Sequence, residues 1–208
     1  MQKPLSSTWI QPITLTGKLV RLEPLSPEHA AELAEAGKDE SVWQYMRYGQ
    51  VTTPEKMGWL VGLLLEWQER GTDLPFAVMH RESGRAIGMT RYMNISPADR
   101  NLEIGGTWYA PAFQRTGVNT ESKYLLLGQA FEGLGCLRVQ FRTDVRNLRS
   151  QQAIERLGAR REGVLREHMI LPDGTVRSSV FYSILKDEWP GVKARLEARL
   201  DEKRKVHR

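Results

Sequence analysis

The sequence predicts a mixed α/β domain, in which helices flank a mostly antiparallel sheet of about seven strands with one parallel central pair. Segments with alternating apolar residues, typical of strands, are interspersed with segments whose apolar residues recur at helical spacing. A chain of 208 residues with 40% hydrophobic residues has the size and composition of one globular domain. We therefore expect a single domain over 1–208, with its core at about 19–189 and a charged helix at 187–208.

Start and stop signals predict two helices in the first third of the chain. Ser26 is a good N-cap and Pro27 suits a first turn, and Gly37 is a plausible end. Thr53 opens a second helix, whose apolar residues continue at helical spacing to Gly71. Three more helices are predicted after residue 119, at 147–157 and at the C-terminus.

Seven segments have the composition of strands. They lie at residues 19–24, 75–80, 86–94, 102–109, 136–143, 164–170 and 176–185. Turn residues at 82–84 and 172–174 join neighbouring strands as hairpins. The segments 102–109 and 136–143 are instead connected through a helix, and such a crossover makes a parallel pair.

Charge and composition exclude several classes of function. The net charge of +5 includes +3 from residues 186–208, and no basic stripe with interleaved aromatic residues marks the rest of the chain. This argues against a nucleic-acid partner. No apolar segment is long enough to span a bilayer and the first residues lack a signal core, so we expect a cytoplasmic protein without a membrane partner. One cysteine and four scattered histidines predict no metal site.

The segment 108–121 is the most informative, because its loop 114–119 joins a strand to an apolar helix. Flexible residues at such a junction let successive backbone N–H groups point into one concavity, and the helix dipole adds to an anion site. Arg115 contributes a positive charge. No phosphate loop of the nucleotide hydrolases is present, so the loop suits holding a pyrophosphate better than cleaving it. An ordinary strand-to-helix turn is the alternative interpretation.

These residues resemble the GNAT acetyltransferase superfamily, and within it the RimJ/RimL branch of protein N-terminal acetyltransferases. The loop 114–119 is similar to the acetyl-CoA loop Q/R-x-x-G-x-G/A, with Asn119 where the pattern prefers glycine or alanine. The supporting motifs are Leu102-Glu103-Ile104-Gly105, Asn119-Thr120-Glu121, Asp144-x-x-Asn147-x-x-Ser150, Ile154-Glu155-Arg156-Leu157-Gly158-Ala159 and Tyr182-Ser183-Ile184-Leu185.

The resemblance implies a GNAT-like domain whose central parallel strands splay apart. It also implies direct transfer of acetyl from acetyl-CoA, the co-substrate, to a primary amine in a ternary complex. An N–H group near Tyr109 would polarise the thioester carbonyl. The cofactor-binding residues carried over by the resemblance are Trp108, Tyr109, Gln114, Arg115, Thr116, Gly117, Val118, Asn119, Thr120, Asn147 and Ser150.

Two residues are candidates for acid and base catalysis. Glu103 matches the glutamate that often removes the amine proton through water in the family. Its alternative is a strand carboxylate paired with an arginine, and Asp99 and Glu121 are weaker candidates for the base. Ser150 is the candidate donor to the departing sulfur, because Ile154 stands where many members have tyrosine. Its alternative is a simple first-turn hydroxyl.

The acceptor side is less well defined. Trp43, Tyr45 and Tyr48 are predicted to shape the acceptor pocket, with core packing as the alternative. His168 fits an edge strand better than the substrate side, and Cys136 fits a buried thiol better than a nucleophile. The acceptor could be a protein or peptide N-terminus, an amino acid, a polyamine or a drug. A catalytically silent acetyl-CoA-binding module is the alternative function, and a homodimer is possible.

Overall fold

The structure, a computed structural model, describes residues 9–206 of the chain, with side chains to residue 202. Residues 1–8 and 207–208, which belong to the predicted domain and its terminal helix, lie outside the described residues. The described part forms one sheet covered by helices on both faces, which confirms the predicted fold class.

The sheet has eight strands rather than seven. They are β1 (Leu15–Thr16), β2 (Val20–Pro24), β3 (Leu74–His80), β4 (Ala86–Ser96), β5 (Asn101–Tyr109), β6 (Arg138–Asp144), β7 (Arg160–Ile170) and β8 (Val176–Leu185). Their order in the sheet is β1-β2-β3-β4-β5-β6-β8-β7, and every pair is antiparallel except β5 with β6. The additional strand, β1, has only two residues, which is too short to produce an alternating pattern.

In the described residues, five α-helices flank the sheet. They are α1 (Ala30–Ala36), α2 (Pro54–Glu69), α3 (Val118–Gly128), α4 (Leu148–Leu157) and α5 (Trp189–Val206). Two of the predicted helix ends lie at the predicted residues. Thr53 Oγ1 accepts a hydrogen bond from Lys56 N at 3.3 Å at the start of α2, and Gly37 follows the last residue of α1. A π turn at Gln129–Gly133 extends α3. Within residues 9–206, no helix has both the length and the apolarity to cross a membrane.

Apolar residues pack on both faces of the sheet. One core lies under α3, α4 and α5 and contains Tyr92, Phe141 and Tyr182. The other lies under α1 and α2 and contains Met57 and Leu60. Val192 and Leu196 of α5 are fully buried, so the first core extends beyond the predicted limit at residue 189. Each such side chain contributes on the order of 2 kcal/mol through burial.

The two parallel strands separate after a short contact. β5 and β6 pair only from Asn101↔Arg138 to Glu103↔Gln140, although both strands continue. Just beyond this point β5 bulges, with Gly106 and Thr107 opposite the single residue Thr90 of β4. Gly106 has a φ of 58°, which glycine adopts without strain. Because a bulge bends its strand, it favours the divergence of β5 from β6.

Candidate active site

The divergence of β5 and β6 opens a cleft of about 820 Å³. Its walls are the two strands, the N-terminal ends of α3 and α4, and the segment 41–48. From Ile104 onward, β5 is paired with β4 on one side only, so its other backbone edge faces the cleft. An open strand edge of this kind can accept an extended ligand that carries amide groups.

The predicted loop forms the end of the cleft nearest α3. Arg115 has a left-handed φ of 63°, and the first hydrogen bond within α3 runs from Glu121 N to Gly117 O at 2.9 Å. The earlier N–H groups therefore have no carbonyl partner within the helix. Thr116 Oγ1 donates to Phe113 O at 2.7 Å and accepts from Val118 N at 3.2 Å, which holds the loop in shape.

The side chain of Gln114 ties this loop to the end of β5 and to α4. Gln114 Nε2 donates to Tyr109 O at 3.0 Å, while Gln114 Oε1 accepts from Arg149 Nη1 at 2.7 Å. Asn119 and Thr120 also line the cleft. The loop thus combines backbone donors, a helix N-terminus and the positive charges of Arg115 and Arg149, a combination suited to a diphosphate.

Glu103 is buried at the point where β5 and β6 separate, with 1% of its surface exposed. Its Oε1 forms an ion pair with Arg142, whose Nε lies 2.8 Å away. Its Oε2 accepts from Asn94 Nδ2 at 2.8 Å and Gln140 Nε2 at 3.0 Å. The structure therefore shows the arginine pairing that was the alternative interpretation, and it places the same carboxylate in the cleft wall. A fixed carboxylate at this position can still receive a proton through one water.

The predicted residues of α4 lie across the cleft. Asn147 Oδ1 accepts from Ser150 N at 3.0 Å, so Asn147 caps the helix. This leaves the Asn147 amide nitrogen as the group that can donate to a ligand. Ser150 is partly buried, lines the cleft, and its hydroxyl has no partner within the described part of the chain. Ile154 lies beside it in the same wall.

Lys123 is a cleft residue that the sequence prediction missed. It is 6% exposed, and its ammonium group donates to Thr107 Oγ1 at 2.6 Å and, at 3.4 Å, to Thr90 Oγ1. Burial lowers the pKa of Lys123 to about 7. A sequence signal exists, because Lys123 precedes the buried Leu126 and Leu127 by three and four positions and so shares their helix face.

The three aromatic residues of the acceptor prediction have different positions. Trp43 does not line the cleft: it is 2% exposed, its Nε1 donates to Gly37 O at 2.6 Å, and its ring lies 5.0 Å from that of Trp108. It is a core residue, because its apolar surface fills the space under α1. Tyr45 and Tyr48 do line the cleft.

A group of arginines surrounds Glu103 and Tyr48. We refer to Arg47, Arg91, Arg142 and Arg177 as the arginine cluster, and all four line the cleft. Arg142 and Arg177 alternate with core residues of β6 and β8, so they point to the face of the sheet opposite α3. Sequence reasoning missed this cluster, because its members come from one loop and three strands that only the folded sheet brings together.

The remaining candidates have structural positions. Glu121 accepts hydrogen bonds from the backbone of residues 18–20, at 2.6 to 2.9 Å, rather than simply complementing the first turn of α3.

Cys136 is buried, and burial raises its pKa to about 11. Burial and the nearby Arg142 and Arg177 lower the pKa of His168. Asp99 accepts from Ser96 Oγ at 2.7 Å on the exposed surface. Among the residues that the structure describes, no group of acidic, His or Cys side chains could hold a metal ion.

Comparison with known proteins gives consistent matches. The family model described as "Acetyltransferase (GNAT) domain" matches residues 20–160. A Bacillus subtilis protein named "Putative ribosomal N-acetyltransferase YdaF" is 36% identical over 110 residues, which are 53% of this chain and 59% of that protein. The match therefore spans less than two thirds of this relative.

Two solved structures extend the similarity to almost the whole chain. A crystal structure of a "putative acetyltransferase" from T. thermophilus has 42% identity and a TM-score of 0.84, and the alignment covers 93% of this chain and 100% of that one. Mycobacterium smegmatis RimJ, solved in complex with CoA-disulfide, has 23% identity and a TM-score of 0.77, covering 90% and 95% of the two chains. At that identity the likeness to RimJ is one of fold.

Proposed function

Since this chain belongs to the GNAT family of acetyltransferases, we propose that it transfers an acetyl group from acetyl-CoA directly to a primary amine in a ternary complex. The observation that carries this proposal is the separation of β5 from β6 beside the N-terminus of α3. It provides a diphosphate-binding loop at one end of the cleft and an open strand edge leading away from it. RimJ of the same fold was solved with a CoA adduct, which supports CoA as the ligand.

The residues present fit a CoA thioester. Backbone N–H groups of the loop and the first turn of α3, where Asn119 and Thr120 line the cleft, would hold the diphosphate, with Arg115 and Arg149 neutralising its charge. The open edge of β5 from Thr107 to Tyr109 would pair with the amide groups of the pantetheine arm, and Asn147 Nδ2 would donate to the same arm. This co-substrate supplies the activated acetyl group.

The groups around the reacting atoms have distinct tasks. An ammonium group has no lone pair, so the acceptor must lose a proton before it attacks the carbonyl carbon. Glu103 is the base of this step, acting through a water on the face of the sheet opposite α3. A backbone N–H group near Tyr109 donates to the carbonyl oxygen as its negative charge develops. Ser150 donates a hydrogen bond to the sulfur as the carbon–sulfur bond breaks.

The acceptor that we propose is the α-amino group of a protein or peptide. The B. subtilis relative is named as a ribosomal N-acetyltransferase, and this supports a protein substrate. Segment 41–48, with Tyr45 and Tyr48, lines the cleft, and we propose that it contacts the terminus of the acceptor chain. A small amine is the second possible acceptor.

The proposal is tested by two measurements on the purified chain. Calorimetry with acetyl-CoA and CoA measures binding, and a thiol assay measures CoA release with a panel of peptides that begin with Ser, Ala, Met or Asp and with small amines. We expect binding of acetyl-CoA and CoA release with at least one acceptor. Absence of binding would overturn the proposal, whereas binding without CoA release from any acceptor would show a binding module instead.

A further inference from the structure

The arginine cluster holds more positive charge than the cleft neutralises. Arg142 is paired with Glu103 at 2.8 Å, and Arg91 Nε lies 3.1 Å from Asp73 Oδ2. The other nearby carboxylate, Asp144, is bound by Arg146 at 2.7 Å. In the part of the chain that the structure describes, Arg47 and Arg177 have no ion pair with a carboxylate.

Arg177 is the most unusual member of the cluster, because it is 8% exposed and, among the described residues, forms no direct ion pair with a carboxylate. Its Nε donates to Ser179 Oγ at 3.1 Å, and its Nη1 makes only a long contact of 3.4 Å to Tyr45 O. Burial lowers the pKa of Arg177 and outweighs the charges of Asp144 and Glu103, which raise it; Arg142 and Arg47 lower it further. A buried cation in this environment costs free energy unless an anion approaches it.

Arg91 provides a second unsatisfied group in the same wall. Its guanidinium lies between the rings of Tyr48 and Trp67, with centroid distances of 5.6 and 4.9 Å. The contact of Nε with Asp73 lacks the alignment of a hydrogen bond, and Nη1 is buried with no partner among the described residues. Arg47 also stacks on Trp67, at 5.6 Å, and its side chain is exposed and lines the cleft.

The position of the cluster separates it from the diphosphate loop. Glu103, Arg142 and Arg177 point to the face of the sheet opposite α3, whereas Arg115 and Arg149 lie at the N-terminal ends of α3 and α4. Arg142 forms an ion pair with Glu103, and Arg177 lines the same cleft on the same face of the sheet as both. An anion bound by Arg177 would therefore lie on the same side of the cleft as an amine held at Glu103.

Resting on the proposed function, we propose that the acetyl acceptor carries a carboxylate close to its amine, and that Arg177 and Arg47 bind this carboxylate. A guanidinium is suited to this contact, because its donors match the two oxygens of a carboxylate. The carboxylate can come from two sources: the α-carboxylate of a free amino acid, or an acidic side chain at the first or second position of a peptide.

Matched acceptors test the inference on the wild-type chain. One arm compares free serine and alanine with their amides. The other compares C-terminally amidated tetrapeptides that begin Ser-Asp and Ser-Glu with those that begin Ser-Asn and Ser-Gln. We expect kcat/KM to be about 10- to 100-fold higher for the carboxylate-bearing acceptor in one arm, because a hydrogen bond to a charged group is worth about 1.5–3 kcal/mol. The arm with the preference identifies the source.

Variants assign the preference to residues. Arg177→Gln and Arg47→Gln should each raise KM for the carboxylate-bearing acceptor without changing KM for acetyl-CoA. Arg47 lies on the surface, so Arg47→Gln remains informative if Arg177→Gln is poorly folded. Arg70→Gln, at the exposed end of α2, is the matched control. Equal kcat/KM within both arms would overturn the inference and leave the acetyltransferase intact, whereas failure to bind acetyl-CoA would overturn both.

Discussion

Replacement of Lys123 by methionine should make the protein more stable at neutral pH, because it removes a buried charge. Lys123 lies against Thr107 and Thr90, and burial is the sole cause of its lowered pKa. Methionine has a similar length and no charge, so it can occupy the same space. The two threonine hydroxyls are 2.8 Å apart and keep each other as hydrogen-bond partners in the variant.

The magnitude follows from the difference between the two pKa values. The pKa of Lys123 falls from the ordinary value of 10.5 to about 7 in the folded chain. At pH 7 the unfolded chain holds this proton fully and the folded chain holds it about half the time, which costs the folded state about 4 kcal/mol. Loss of the hydrogen bonds to the threonines offsets about 1–2 kcal/mol. We therefore expect Lys123→Met to raise the free energy of unfolding by about 2–3 kcal/mol at pH 7.

The pH dependence gives the sharper test. The pKa of Lys123 is lower in the folded chain than in the unfolded chain. The destabilisation by its buried charge is therefore complete below pH 7, decreases as the pH rises, and disappears above about pH 10.5. Between pH 7 and pH 9 the wild-type chain should therefore recover about 2 kcal/mol relative to the variant. Urea unfolding followed by tryptophan fluorescence at both pH values measures this difference.

Lys56→Met is the matched control, because Lys56 is exposed on α2. It should change stability little, and by the same amount at pH 7 and pH 9. A difference between Lys123→Met and wild type that stays constant over this range would refute the reasoning, as would a variant that is less stable than wild type at pH 7.

Three further predictions concern the cleft. At pH values below the pKa of the acceptor amine, Glu103→Gln should lower kcat/KM at least 100-fold, because the base is lost. A pH–rate profile of unchanged shape would remove Glu103 from the mechanism. Ser150→Ala should lower kcat about tenfold without changing KM for acetyl-CoA, because a hydrogen bond to a developing charge is worth about 1.5 kcal/mol. Wild-type turnover at saturating substrate would contradict this prediction. The control variant is Ser83→Ala, in the β3–β4 turn. Asn147→Ala should lower the free energy of unfolding by about 1 kcal/mol, because α4 loses its cap. Thermal unfolding of the ligand-free chain measures this change. An unchanged midpoint would show that the cap adds no stability.

Local signals in the sequence were sufficient for most of the fold. Thr53 and Gly37 mark helix ends through their own hydrogen bonds and backbone angles, so they can be recognised without tertiary information. The crossover between β5 and β6 also follows from the order of the elements. The two-residue strand β1 could not be predicted, since its strand conformation depends on pairing with β2.

The site was predicted where it is formed by one continuous segment, and missed where it is formed by distant ones. The diphosphate loop lies within a few consecutive residues, and the family resemblance covers it. The environment of Arg177 depends on Tyr45, which is 132 positions away in the chain. The aromatic-rich loop is compatible with both an acceptor pocket and core packing for Trp43, and only the packing of α1 shows that its ring is enclosed.

The carboxylate of Glu121 couples two distant parts of the chain. It accepts hydrogen bonds from the backbone N–H groups of Lys18, Leu19 and Val20, about 100 positions earlier, and it lies only one turn from the diphosphate loop. A motion that displaces the start of α3 must therefore release these three amides together. Their hydrogen–deuterium exchange rates would report on ligand occupancy from a location outside the cleft, with no label attached near the ligand.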